Sequence, residues 1–122
     1  MEGGMVGTTG RDRLSVAVRR HGVCAIFTPA GELDHHTAEL LREPLEQSVD
    51  DGCTKLVVDC SQLEFCDSPG LNVLLGARLK TEAVGGGVHL AALRPVVARV
   101  FEITGAEAVF TVHATLADAL EE

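Results

Sequence analysis

The chain has 122 residues, 46 % of them hydrophobic, which supplies one domain with a single core and is too little for two. Its 18 acidic and 10 basic residues give a formal net charge of −8, and its only aromatic side chains besides histidine are four phenylalanines. Nucleic acid and anionic membrane surfaces are therefore poor partners, because phosphates need clustered cations and unpaired bases need stacking rings.

Met1 to Asp12 is glycine-rich and without periodicity, and reads as a flexible N-terminal tail before a domain spanning residues 13–122. Arg13–Arg20 alternates as a strand, His21-Gly22 as a turn, and Val23–Thr28 as a second strand, which together suggest an antiparallel hairpin. Pro29–Asp34 must then leave the sheet. Ala38, Leu41, Leu45 and Val49 mark an amphipathic helix within His35–Val49, starting at Asp34 or Thr37. Pro44 lies inside it. An interior proline costs roughly 3 kcal/mol, so a kink is expected, or a short first turn before a second segment near Glu43.

Asp50-Asp51-Gly52 stops that helix, and Lys55–Cys60 reads as a buried strand. Leu71, Leu74, Leu75 and Leu79 then recur at helical spacing, with Ser68 placed as N-cap and Pro69 as first helical residue. Gly85-Gly86-Gly87 ends this helix before a strand at Val88–Leu93. Arg94-Pro95 opens a third helix with an apolar stripe of Val96, Val97, Val100 and Phe101, closed by Gly105. Val109–Val112 is a short last strand, and Thr115 caps a final helix with Asp118 three residues on. Crossovers of this length put successive strands parallel. The predicted fold is α/β: a mixed, mainly parallel sheet of about five strands against about four helices.

The longest apolar stretches are too short to span a bilayer, and Met1-Glu2-Gly3-Gly4-Met5 lacks the basic and apolar regions of a signal peptide. A cytoplasmic location with no membrane partner is expected. Cys24, Cys53, Cys60 and Cys66 contain no C-x-x-C pair and read as small buried hydrophobes. No metal site and no cofactor are implied, since nucleotide-binding glycine motifs are missing and the adjacent His35 and His36 point in different helical directions. A serine hydrolase built from Ser68, Asp34, His35 and His36 lacks the G-x-S-x-G elbow, so no enzyme is expected.

Ser68 carries two readings at this stage. One is a helix cap; the other is a phosphoacceptor, an exposed hydroxyl where the helix dipole favours a phosphate and Asp67 opposes it.

The stretch Gly31-Glu32-Leu33-Asp34-His35-His36-Thr37-Ala38-Glu39, followed by Asp67-Ser68-x-Gly70-Leu71 and Val73-Leu74-Leu75-Gly76, resembles the bacterial anti-sigma factor antagonists of the STAS-domain family, in order over roughly Leu14–Leu120. The resemblance implies a binding module and not an enzyme. Its unphosphorylated form would bind an anti-sigma factor serine kinase of the histidine-kinase-like ATPase fold, freeing a sigma factor. Phosphorylation at Ser68 would end the complex, and a metal-dependent serine phosphatase would restore it. Asp34 is the implied neighbour that aids recognition or orients the hydroxyl, and the partner footprint is expected to include Glu32, Asp34, His35, Thr37, Asp67, Pro69, Gly70 and Asn72. Pro69 departs from the family, which commonly has a second serine or threonine there; it removes a hydroxyl and a backbone donor. The alternative is a STAS scaffold or ligand-sensing domain with Ser68 unmodified.

Overall fold

A computed structural model of the chain describes residues 4–11 and 13–121. Seven strands form one sheet: β1 (Gly4–Arg11), β2 (Leu14–His21), β3 (Cys24–Leu33), β4 (Lys55–Asp59), β5 (Leu63–Cys66), β6 (Gly87–Ala91) and β7 (Thr111–His113). Four helices accompany them: α1 (Ala38–Asp50), α2 (Ser68–Glu82), α3 (Pro95–Thr104) and α4 (Leu116–Glu121). The strand order is β1-β2-β3-β4-β6-β7, with β5 joined to the far end of β3. β1, β2 and β3 run antiparallel, while β4, β5, β6 and β7 each pair parallel to their neighbours. The mixed, largely parallel α/β architecture with four helices matches the sequence expectation.

Two strands were not legible. The tail expected at residues 1–12 is, over Gly4–Arg11, an edge strand paired with β2. Backbone pairing with an open edge needs no hydrophobic alternation, which is why a glycine- and threonine-rich run takes it. Residues 1–3 and 12 of that tail lie outside the described residues. β5 escaped notice because its two middle residues, Glu64 and Phe65, are both exposed and break the period of two.

One face of the sheet packs against α1, α2 and α3 around fully buried Phe27, Leu45, Leu56, Leu74, Leu90 and Phe101. α1 runs through Pro44 as one helix, so no second segment begins at Glu43; Pro44 only withholds an N–H from the Leu40 carbonyl. On α2 the buried line is Gly70, Leu74, Ala77 and Thr81, and Leu79, expected inside, is 64 % exposed. From Leu74 to Leu79 is five steps of 100°, a net 140° around the axis, which carries Leu79 out of the core. On α3, likewise, Val97 and Phe101 are buried while Val96 faces out. Gly105, at φ 78°, supplies the left-handed C-terminal residue of α3.

Candidate functional site

β3 divides its pairing. Cys24–Phe27 ladder with β4, and Gly31–Leu33 ladder with β5. This second ladder brings the end of β3 beside the segment leading into α2: Leu33 is the register partner of Cys66, and the Asp67 amide donates to the Leu33 carbonyl at 3.2 Å. Gly70, buried in the first turn of α2, completes the seam. A Cβ there would lie 2.7 Å from the Leu33 carbonyl oxygen and 2.8 Å from Leu33 Cγ.

The N-cap of α2 is Asp67, not Ser68. Asp67 has extended φ and ψ (−108°, −175°), its Oδ1 accepts from the Gly70 N–H at 2.9 Å, and its carbonyl accepts from the Leu71 N–H at 2.8 Å. Both residues are good caps, and the carboxylate one position earlier takes the role. Ser68 is thereby the first helical residue and Pro69 the second. The Ser68 side chain is exposed and its hydroxyl has no hydrogen-bond partner among the described residues, so it performs no structural task. Asn72, one turn on, is also exposed, as is Pro69.

Facing this turn, the loop after β3 is built around Asp34, which is only 6 % exposed. Its Oδ1 accepts from the His36 amide at 2.9 Å and the Thr37 amide at 3.1 Å, and its own N–H donates to Thr37 Oγ1 at 2.9 Å. Thr37, almost fully buried, donates a hydrogen bond from its hydroxyl to the Glu32 carbonyl at 2.8 Å. Thr37 occupies the N-cap position of α1, yet its side chain caps nothing; residues 35–37 form a turn, which moves the helix start to Ala38.

Arg13 is the residue that sequence reasoning missed. Its guanidinium grips both Asp34 oxygens, at 2.6 and 3.3 Å, and reaches Glu32 Oε1 at 3.5 Å. Counting the hairpin register outward from the His21–Cys24 pair to Leu14–Gly31 places Arg13 opposite Glu32, so the signal lay in that register. Gly31, at φ 116°, makes the approach possible, because any Cβ there would run into the Arg13 carbonyl.

Burial pushes the Asp34 carboxyl up, but the His36 and Thr37 amides, Arg13 and the Thr37 hydroxyl outweigh it and hold the group below the usual carboxylate range. Asp34, Glu32, His35 and Asp67 line one surface depression together with Arg13, His36, Glu64 and Phe65. Ser68 follows Asp67 at its edge. Four carboxylates thus share the hollow with a single permanent cation. No group of three or more metal-ligating side chains occurs among the described residues. Among them, also, no helix is long and apolar enough to cross a membrane.

The STAS-domain family model matches residues 15–119. The chain belongs to the STAS-domain family. The anti-sigma-F factor antagonist RsfB of Mycobacterium tuberculosis is 34 % identical over 111 residues, covering 89 % of this chain and 88 % of that protein. The crystal structure of an anti-sigma factor antagonist from Mycobacterium paratuberculosis matches with a TM-score of 0.79 at 30 % identity, over 93 % of this chain and 96 % of the other. Bacillus SpoIIAA is similar in two solved states. Its unphosphorylated form gives a TM-score of 0.72 at 26 % identity over 97 % and 94 % of the two chains. Its phosphorylated form gives 0.66 at 25 % identity over 97 % of each. These STAS-domain relatives are regulatory antagonists rather than enzymes.

Proposed function

We propose that this chain is a cytoplasmic anti-sigma factor antagonist switched by phosphate. Unmodified, it binds an anti-sigma factor that is also a serine kinase of the histidine-kinase-like ATPase fold, and a sigma factor is freed. The kinase transfers the γ-phosphoryl group of ATP to Ser68 Oγ, leaving ADP, and the complex parts; a metal-dependent serine phosphatase resets the switch. The observation that supports this most is the unemployed, exposed hydroxyl of Ser68 at the rim of an acidic hollow.

The helix start offers little to neutralise the new charge. Of the first-turn amides, that of Gly70 is taken by the Asp67 side chain and that of Leu71 by the Asp67 carbonyl, while Pro69 has none, so only the Ser68 N–H is left to a phosphate. A group of about −1.5 to −2 charges therefore sits close to Asp67 and the hollow that holds Asp34, Glu32 and Glu64. In an interface this dianion must be desolvated, and a penalty of about 3 kcal/mol weakens binding more than a hundredfold. The fold itself has no reason to change. Half-buried Glu32 and exposed His35, Pro69 and Asn72 form the partner footprint, while Thr37, expected in it, is buried and holds the Asp34 loop from within, as Gly70 holds the seam.

The test combines transfer and binding. Incubation with a candidate kinase and ATP should add one phosphate to the wild type and none to Ser68→Ala, read by intact mass. Ser68→Asp should bind the kinase at least tenfold more weakly than Ser68→Ala. If the two variants bind equally tightly, phosphate is not the release signal. If the kinase binds but never transfers, the chain is a scaffold with Ser68 unmodified.

A further inference from the structure

Next to the acidic hollow, where β5 joins β3, a second depression of about 470 Å³ has Arg13, Ser15, Ala30, Glu32, Glu64 and Arg94 on its walls. That volume lies within the range of about 300–1,000 Å³ in which small-molecule sites fall. Leu14 and Val16 are buried in the core, so Ser15 between them and Ala30, its register partner, face the other side of the sheet and form the floor. The Ser15 hydroxyl has no hydrogen-bond partner among the described residues.

Opposite charges stand in this depression without meeting. Arg94, the N-cap residue of α3, donates from Nε to the Ser61 carbonyl at 2.8 Å, which fixes the plane of its guanidinium and leaves both terminal nitrogens unpaired among the described residues. Glu64, exposed on β5, also has no ion pair or hydrogen bond from its side chain there, so Arg94 and Glu64 line one depression and yet stand more than 4.0 Å apart. The remaining charges are occupied with each other: Arg13 meets Glu32 at 3.5 Å and Asp34 at 2.6 Å.

The arrangement selects by charge at both ends. A simple anion drawn to Arg94 meets Glu64 and Glu32, and a simple cation drawn to Glu64 meets Arg94 and Arg13. A dipolar molecule satisfies both, because the arginine fork matches a carboxylate and Glu64 accepts from an ammonium. We infer that this depression binds a free α-amino acid with a small polar side chain, its carboxylate on Arg94, its ammonium on Glu64 and its side chain over Ser15. Binding there requires neither phosphate on Ser68 nor a kinase.

Titration of the isotope-labelled full chain with L-serine, followed through its backbone amide signals by NMR, tests this. The expected result is saturable shifts centred on Gly31, Glu32, Glu64 and Arg94. Ethanolamine, which lacks the carboxylate, and β-hydroxypropionate, which lacks the ammonium, should each bind about three- to fivefold more weakly, the worth of one exposed ion pair. Arg94→Gln should cancel the preference for L-serine over ethanolamine and keep that over β-hydroxypropionate, and Glu64→Gln should do the reverse. Both side chains are exposed, so the amide spectra of the variants should otherwise match the wild type. No saturable shift, shifts centred outside the depression, L-serine binding no tighter than either analogue, or both preferences intact in either variant would each overturn the assignment.

Discussion

Gly70→Ala and Gly76→Ala place the same methyl group on the same helix, and the structure assigns them opposite signs. At Gly70 the new Cβ meets a backbone oxygen at 2.7 Å and the fully buried Leu33 side chain at 2.8 Å, both held by the pairing of β3 with β5. Overpacking of this kind costs about 1–3 kcal/mol, and alanine's helical advantage recovers about 0.5–1 kcal/mol, leaving a net loss of about 1–2 kcal/mol. At exposed Gly76 nothing lies within 4 Å, so the helical gain of about 0.5–1 kcal/mol stands alone. For a chain of 122 residues, 1 kcal/mol moves Tm by about 4 °C. Thermal unfolding followed by circular dichroism should show Tm falling by about 4–8 °C for Gly70→Ala and rising by about 2–4 °C for Gly76→Ala. A Gly70→Ala protein as stable as the wild type would refute the idea that α2 and the Asp34 loop are clamped at Leu33.

Asp67→Ala should lose about 1 kcal/mol by removing the cap on the Gly70 amide, with Asp67→Ser recovering most of it, whereas Ser68→Ala should stay within about 0.5 kcal/mol of wild type in urea denaturation. Because the folded-state pKa of Asp34 lies below its unfolded value, the stability it contributes is fully present above the unfolded pKa and is lost as pH falls through the folded one. Asp34→Asn should accordingly flatten the acid limb of stability measured from pH 7 to pH 2.5, and an unchanged limb would contradict the bonding described. Burial, aided by Asp59 for Cys60 and Asp67 for Cys66, pushes both thiols up to about 12. Native protein titrated with a disulfide reagent at pH 8 should spare these two, react first at half-buried Cys24, and release all four thiols only in denaturant.

Much of the fold was legible because several signals agreed at each element. Leu56-Val57-Val58 could only be an inner strand, Pro95 and Gly105 bracket α3, and the Thr115 hydroxyl accepts the Asp118 amide at 3.1 Å as the cap pattern requires. The errors arose where two residues competed for one role or where tertiary pairing supplied what local pattern lacked. Asp67 and Ser68 are adjacent cap formers, and only the seam with Leu33 decides between them. Asp34 reads from local pattern as one of two possible starts of α1, and its buried ion pair appears only when Arg13, 21 positions earlier, is brought against it. The sequence pointed to Ser68 for its neighbours; that its hydroxyl is idle follows only from the cap having moved.

The forked pairing of β3 constrains how this chain can vary. β4 and β5 behave as one strand broken by the turn at Cys60-Ser61-Gln62, whose ends are fixed by the Gln62 carbonyl on the Gly31 amide and the Ala91 carbonyl on the Cys60 amide. Surface turns ordinarily tolerate a residue more or less. Here a single insertion would slide β5 by one position, exchange its inward and outward side chains, and present Asp67 and Ser68 to the wrong side of the sheet. That three-residue turn works as a spacer of fixed length: descendants of this sequence are free to change Ser61 and Gln62, but not the fully buried Cys60 and not the number of residues.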